Sequence, residues 1–149
     1  MRSSCYLLKA VSSGIGHVVV SCADGRVYQW GCITIEAGNS CTVSKPQVLS
    51  AYLENKRVTD FACGQAHTVA LTEDGQVYAW GNNLCGMLGN GTLTSEASPV
   101  KISESNGFDS KVVAVACGAY VSFALDSEGN VSVPQVGDSV FEQEMVLHV

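Results

Sequence analysis

Residues 64–81 read GQAHTVALTEDGQVYAWG, and residues 14–31 read GIGHVVVSCADGRVYQWG. Set side by side at an offset of 50 with no gap, Gly14 meets Gly64 and His17 meets His67. Asp24-Gly25 meets Asp74-Gly75, and Trp30-Gly31 meets Trp80-Gly81. Val19, Val27 and Tyr28 recur as Val69, Val77 and Tyr78. Half of the aligned positions are identical, where unrelated sequence of ordinary composition gives roughly one in twenty. A period of this length fixes the architecture before any local reading does.

A third copy follows at an offset of 54. VTDFACG at 58–64 matches VVAVACG at 112–118, so Cys63-Gly64 recurs as Cys117-Gly118. Ala70-Leu71 recurs as Ala124-Leu125, Gly75 as Gly129 and Val77 as Val131. There the copy stops, because Ser132 and Pro134 stand where Tyr78 and Trp80 would fall. The units therefore run over about 8–57, 58–111 and a truncated 112–131, within a single domain over 1–149 that ends in a divergent tail at 132–149.

Each unit reads as four short strands. Val58 to Cys63 is β-prone and closes on Gly64, which permits turns that other residues resist. His67 to Thr72 is a second run. Asp74-Gly75 supplies the positive φ angles of a hairpin turn. Gln76 to Trp80 returns with Val77 and Ala79 on one face and Tyr78 and Trp80 on the other. Both faces are apolar and both must be covered. After a loop rich in glycine and asparagine, Ser98 to Ile102 reads as an edge strand with proline near its start. Four strands in about fifty residues is one propeller blade. The predicted fold is all-β: blades of four-stranded antiparallel sheets, an incomplete propeller of about three.

The string ACGQAHTVALTEDGQVYAWGNNLCGMLGNGT at residues 62–92, followed by Pro99-Val100, resembles the regulator-of-chromosome-condensation repeat family. The resemblance is carried in order by Cys63-Gly64, His67, Asp74-Gly75, Trp80-Gly81 and the loop Gly86-x-Leu88-Gly89. The first repeat keeps the core, but its loop CITIEAGNSCTVSKP departs from the pattern. The resemblance implies a seven-bladed propeller. In the founding member it implies guanine-nucleotide exchange on a Ran-type GTPase, and in most relatives a docking surface, often joined to ubiquitin-ligase, kinase or BTB modules. The exchange residues of the founding member lie outside the repeat signature, and none is carried over here.

Three blades are fewer than the four to eight from which propellers close, and open strand edges pair with other chains. The chain is therefore expected to be a piece or variant of a longer propeller, or to associate with itself through its open edges.

The bulk composition fits that reading. Of 149 residues, 46% are hydrophobic and 15% charged, too apolar for a disordered tail. The net charge is −6 with no run of Lys or Arg, which argues against direct nucleic-acid binding. Apolar runs are too short to span a bilayer, and the N-terminus offers no apolar stretch long enough for a signal peptide, so an intracellular protein, cytoplasmic or nuclear, is expected. Seven cysteines without a CxxC pair read as reduced thiols. The loose set His17, Cys22, Cys32 and Cys41 has spacings too irregular for a zinc module. No cofactor is implied.

His17 and His67 invite a catalytic reading, yet a residue repeated in each unit serves the unit, here by a hydrogen bond that orders a turn. Asp24 and Asp74 are explained by their turns and Trp30 and Trp80 by packing between blades. The loop residues Asn82, Asn83, Leu84 and Asn90, and the acidic stretch from Glu104 to Asp109, are the candidates for contact with a partner. The C-terminal Leu147-His148-Val149 has the form that a carboxylate-capturing groove binds. The expected function is a non-enzymatic protein-binding module whose partner is a small GTPase or a ubiquitin-pathway component. The alternative is nucleotide exchange on a Ran-like GTPase.

Overall fold

The computed structural model describes residues 7–34, 39–102 and 110–133. The acidic stretch at 104–109 and the C-terminal tripeptide lie outside them. Eleven strands alternate with short turns: β1 Leu8–Ser13, β2 His17–Cys22, β3 Val27–Thr34, β4 Ser40–Val48, β5 Val58–Cys63, β6 His67–Thr72, β7 Val77–Gly81, β8 Glu96–Lys101, β9 Val112–Cys117, β10 Ser122–Asp126 and β11 Val131–Ser132. One 3-10 turn, Ser50–Leu53, joins β4 to β5. The strands form three antiparallel meanders, β1-β2-β3-β4, β5-β6-β7-β8 and β9-β10-β11. These are propeller blades, two of four strands and one with three described strands.

The alternation read from the sequence sets the stacking. Tyr78 and Trp80 join Phe61 and Ala70 in a core shared with Val19 and Val27 of the first sheet. Leu49 and Leu53 of the connecting turn close that core. From the other face of the same strands, Val69, Leu71, Val77 and Ala79 pack on Val112 and Ala124 of the third sheet. The middle sheet is thus buried on both faces, with β5 lying between β1 and β9.

Gly75 sits at φ +81° in the β6–β7 turn, where its N–H bonds the Thr72 carbonyl at 2.8 Å. The last strand of the middle sheet starts earlier than the proline suggested. Lys101 and Val100 pair with Tyr78 and Ala79, then the register shifts before Glu96 pairs with Gly81. Pro99, which has no N–H to donate, falls within that shift.

Antiparallel meanders place their reversals at two opposite ends. One end carries the turns at 14–16, 64–66 and 118–121 and the β7–β8 loop. The other carries the Asp-Gly turns and the connections between sheets.

Candidate protein-docking rim

At the first end, the glycine turns are bonded to one another across the sheets. The Ile15 N–H donates to the Gln65 carbonyl at 3.2 Å, and the Gln65 N–H donates to the Ala119 carbonyl at 3.0 Å. A Cβ on Gly64 would fall into the His67 imidazole and come within 2.7 Å of the Gly118 carbonyl oxygen. A glycine is needed there because the neighbouring turn approaches so closely, not for its φ angle.

The two histidines span the seams. His17 Nε2 lies 2.9 Å from Thr68 Oγ1, and His67 Nε2 lies 3.0 Å from Ser122 Oγ. Ser122 gives its hydroxyl proton to the Met87 carbonyl at 2.6 Å, so His67 must be the donor through Nε2–H. Each ring therefore ties its own blade to the next, besides packing on the glycine of its own turn. That bond crosses a seam, whereas the repeat pattern alone had pointed to one within the turn.

Cys63 Sγ lies 3.5 Å from Thr68 Oγ1 and Cys117 Sγ 3.7 Å from Ser122 Oγ, which completes a His–hydroxyl–thiol set at each seam. The electrostatics oppose nucleophilic chemistry. Burial pushes the Cys117 thiol up to about 11 and raises Cys63, so neither forms a thiolate at neutral pH. Burial also pulls His67 down to about 4 and lowers His17. Neutral rings and protonated thiols make these sets structural seams.

Cys22, expected as a reduced thiol, is disulfide-bonded. Cys32, Cys41, Cys63, Cys85 and Cys117 are free. No group of three or more His, Cys, Asp or Glu that could hold a metal occurs among the described residues.

The β7–β8 loop is built around Asn83, which is fully buried. Its Nδ2 donates to Asn90 Oδ1 at 3.0 Å and to the carbonyls of Thr92 and Thr94 at 2.9 and 3.0 Å. Its Oδ1 accepts from the Leu88 N–H at 2.9 Å. Asn83, proposed from the sequence as a contact residue, is thus the scaffold of the loop. Asn90 is spent in the same way, its Oδ1 also accepting from the Thr92 N–H and hydroxyl. Asn82 caps the next turn through the Leu84 N–H. Gly86 and Gly89 take positive φ around buried Leu88. Asn83→Ala is expected to cost about 1–2 kcal/mol, because several loop carbonyls lose their donor. A chemical melt measures the cost, and an unchanged midpoint would show that the loop holds itself without this side chain.

What this scaffold presents is apolar. Leu84 is 70% exposed, Leu93 54%, Ile15 78% and Tyr120 59%. Across the turns 14–16, 64–66 and 118–121 and the loop 82–95 there is no charged side chain. The opposite end is charged. Lys56 Nζ bonds Asp74 Oδ2 at 2.8 Å, which with the Thr72 hydroxyl holds that carboxyl down near 2. Asp24 pairs with Arg26, and Arg57 lies beside Glu73.

Of the described loop residues singled out from sequence, Leu84 alone is both apolar and largely exposed. Ile15 and Tyr120 were missed. Their signal was an apolar residue within two positions of a turn glycine, Gly14 for Ile15 and Gly118 for Tyr120, where a polar one is usual. Trp80 is buried, whereas Trp30, at the same repeat position, is half-buried. Gly14, Gly31, Gly81 and Gly118 lie in or against the turns of this rim, and Gly25 and Gly129 in those of the other.

A family model described as Regulator of chromosome condensation (RCC1) repeat matches residues 24–71 and 74–125, and a second of the same description matches residues 58–86. Each of the two longer matches starts in an Asp-Gly turn and ends in the second strand of the following sheet, so the sequence repeat straddles two blades. The human E3 ubiquitin-protein ligase HERC2 is 36% identical over 133 residues, which cover 85% of this chain and 3% of that protein. The zebrafish (Danio rerio) protein RCC2 homolog is 32% identical over 117 residues, 76% of this chain and 23% of the relative. The chain thus spans less than a quarter of either. Two solved structures share the fold at a TM-score of 0.67. Human WBSCR16, at 24% identity, aligns over 87% of this chain and 31% of its own. Prp20p of Saccharomyces cerevisiae, at 21%, aligns over 89% and 32%. The Prp20p structure was determined together with its binding to Gsp1p and histones.

Proposed function

The chain belongs to the regulator of chromosome condensation (RCC1) repeat family, and from that premise we propose that it is a non-catalytic docking module whose glycine-turn rim binds a protein partner. The observation that carries this reading is the chemical contrast between the two ends. Among the described residues the turns 14–16, 64–66 and 118–121 and the loop 82–95 carry no charge and raise Leu84, Leu93, Ile15 and Tyr120 on a bonded scaffold, and the other end carries a network of ion pairs. Interface cores are depleted of charge and rich in aromatic and aliphatic anchors, and a rigid loop lowers the entropy lost on binding. Exposed apolar side chains carried on uncharged turns are the feature by which such a site is recognised.

The proposed setting is intracellular, and the proposed partner class is a small GTPase or a ubiquitin-pathway protein, because HERC2 is an E3 ubiquitin-protein ligase and the founding member of the family acts on a Ran-type GTPase. Exchange is the second reading. Among the described residues the rim carries no charged group to oppose the phosphates or magnesium of a bound nucleotide, so binding without exchange is favoured.

The test pairs two measurements. With immobilised GTPases and ubiquitin-pathway proteins as probes, Leu84→Asp and Tyr120→Asp should each weaken binding by about tenfold or more, roughly 1.4 kcal/mol, at an unchanged melting temperature. Asp74→Asn at the other end should leave affinity alone. The reverse pattern would place the docking surface on the charged end. Release of labelled GDP from the same GTPases should not accelerate, and acceleration would replace docking by exchange.

A further inference from the structure

A cleft of about 200 Å³ enters the seam between the first and second sheets from the docking rim. Cys32 and Ala66 stand exposed at its mouth, Ala66 in the rim turn at 64–66. Ile33, Thr68 and Trp80 wall it, and Gln29 lines it although only 2% exposed. Both sheets that form it belong to this chain.

The Gln29 amide is half used. The indole of Trp80 can only donate, so the atom it meets at 2.7 Å must be Oε1, which fixes the orientation of the amide. Nε2 makes no hydrogen bond with a described residue. It is not sealed from solvent as the orphaned Nδ1 of His67 is, so it opens on the cleft. The blade itself does not demand a glutamine here. At the same repeat position, 50 residues on, Ala79 is fully buried in the second seam. Accepting from Trp80 accounts for Oε1 and leaves Nε2 unexplained. A secluded donor without an acceptor costs stability, and a ligand that supplies the acceptor relieves that cost.

The lining selects the ligand. Among the described residues that line the cleft none is Asp, Glu, Lys or Arg, and burial holds the imidazoles of His17 and His67 neutral at pH 7. A carboxylate or an ammonium would lose its hydration there without a counter-charge. A neutral carboxamide supplies both halves of the match. Its carbonyl accepts from Nε2–H, and its own NH2 donates to the second lone pair of Gln29 Oε1. We infer that the cleft is the anchor pocket of the docking rim and receives an asparagine or glutamine side chain of the partner protein, paired amide to amide with Gln29. The inference rests on the docking reading above and adds the residue class that the partner inserts.

Propionamide, propionate and butanone probe the cleft in the full chain, followed by NMR of the Gln29 side-chain amide and the Trp80 indole. Propionamide is expected to shift both signals with a dissociation constant of about 1–10 mM. It should bind about tenfold more tightly than propionate, which is charged, and more tightly than butanone, which cannot return the second hydrogen bond. Gln29→Met should abolish these shifts. Against the same immobilised GTPases and ubiquitin-pathway proteins it should weaken binding by about tenfold or more, with a melting curve to show that the variant folds. No shift by propionamide up to about 100 mM overturns the inference, as does propionate binding equally well. Partner binding that is lost in Leu84→Asp but unmoved by Gln29→Met overturns the pocket while the docking reading stands.

Discussion

Replacing Trp80 with alanine is expected to lower the unfolding free energy by about 3–5 kcal/mol, as deletion of a fully packed indole does. The ring is 3% exposed and lies in the core between the first two sheets, against Val19 and Val27 from across the seam. Its Nε1–H donates to Gln29 Oε1 at 2.7 Å. Gln29 is itself 2% exposed, so the substitution opens a cavity and also strands an amide oxygen in the interior. Trp30→Ala is the control, since the same residue at the same repeat position faces away from the stack and is half-buried. Measured by urea denaturation at a concentration where the chain is monomeric, it should cost less than half as much. Equal costs would mean that a blade-like surface already covers Trp30 within the monomer, and a cost for Trp80 below about 1 kcal/mol would remove the seam as a source of stability.

The contrast between the two tryptophans shows where sequence reading succeeds and where it stops. A period of fifty with hairpin turns at Asp24-Gly25 and Asp74-Gly75 dictates strands and reversals, because those constraints are local. The opposed faces Val77/Ala79 and Tyr78/Trp80 follow from alternation alone, and the observed cores divide along that line. What a residue meets across a seam is not local. Nothing near His67 in sequence indicates Ser122, 55 residues away, and nothing near Asn83 shows that its amide is consumed by its own loop. Asparagine in a glycine-rich loop has the same composition whether it is scaffold or contact. The exposed apolar residues of the rim were obscured for the opposite reason, since Ile15 and Tyr120 look like strand residues until the turns opened by Gly14 and Gly118 are placed.

Acid should weaken the fold well above the pH at which its carboxylates protonate. Burial holds the His67 imidazole at about 4 in the native state, against about 6.5 in an unfolded chain. Its Nε2–H is committed to Ser122, and Nδ1 has no partner among the described residues, so a proton added at Nδ1 would carry charge into the seam unanswered. Between these two values the unfolded chain binds the proton and the folded chain does not. Stability is therefore complete above about pH 6.5 and falls as the pH drops toward 4, by about 3 kcal/mol for this one group. Burial lowers His17 as well, which adds in the same direction. The carboxyls of Asp74 and Asp126, held near 2 by their hydrogen bonds to Lys56 and Asn130, act in a separate window below about pH 4. Urea midpoints taken from pH 7.5 to 4.5 should slope downward in the native chain. In His67→Gln, whose amide can still donate to Ser122 and does not titrate, most of that slope should vanish, leaving the share from His17. A native profile flat across this interval would mean that water reaches Nδ1 and the charge is tolerated, and the seams would then be looser than the packing of Gly64 against His67 implies.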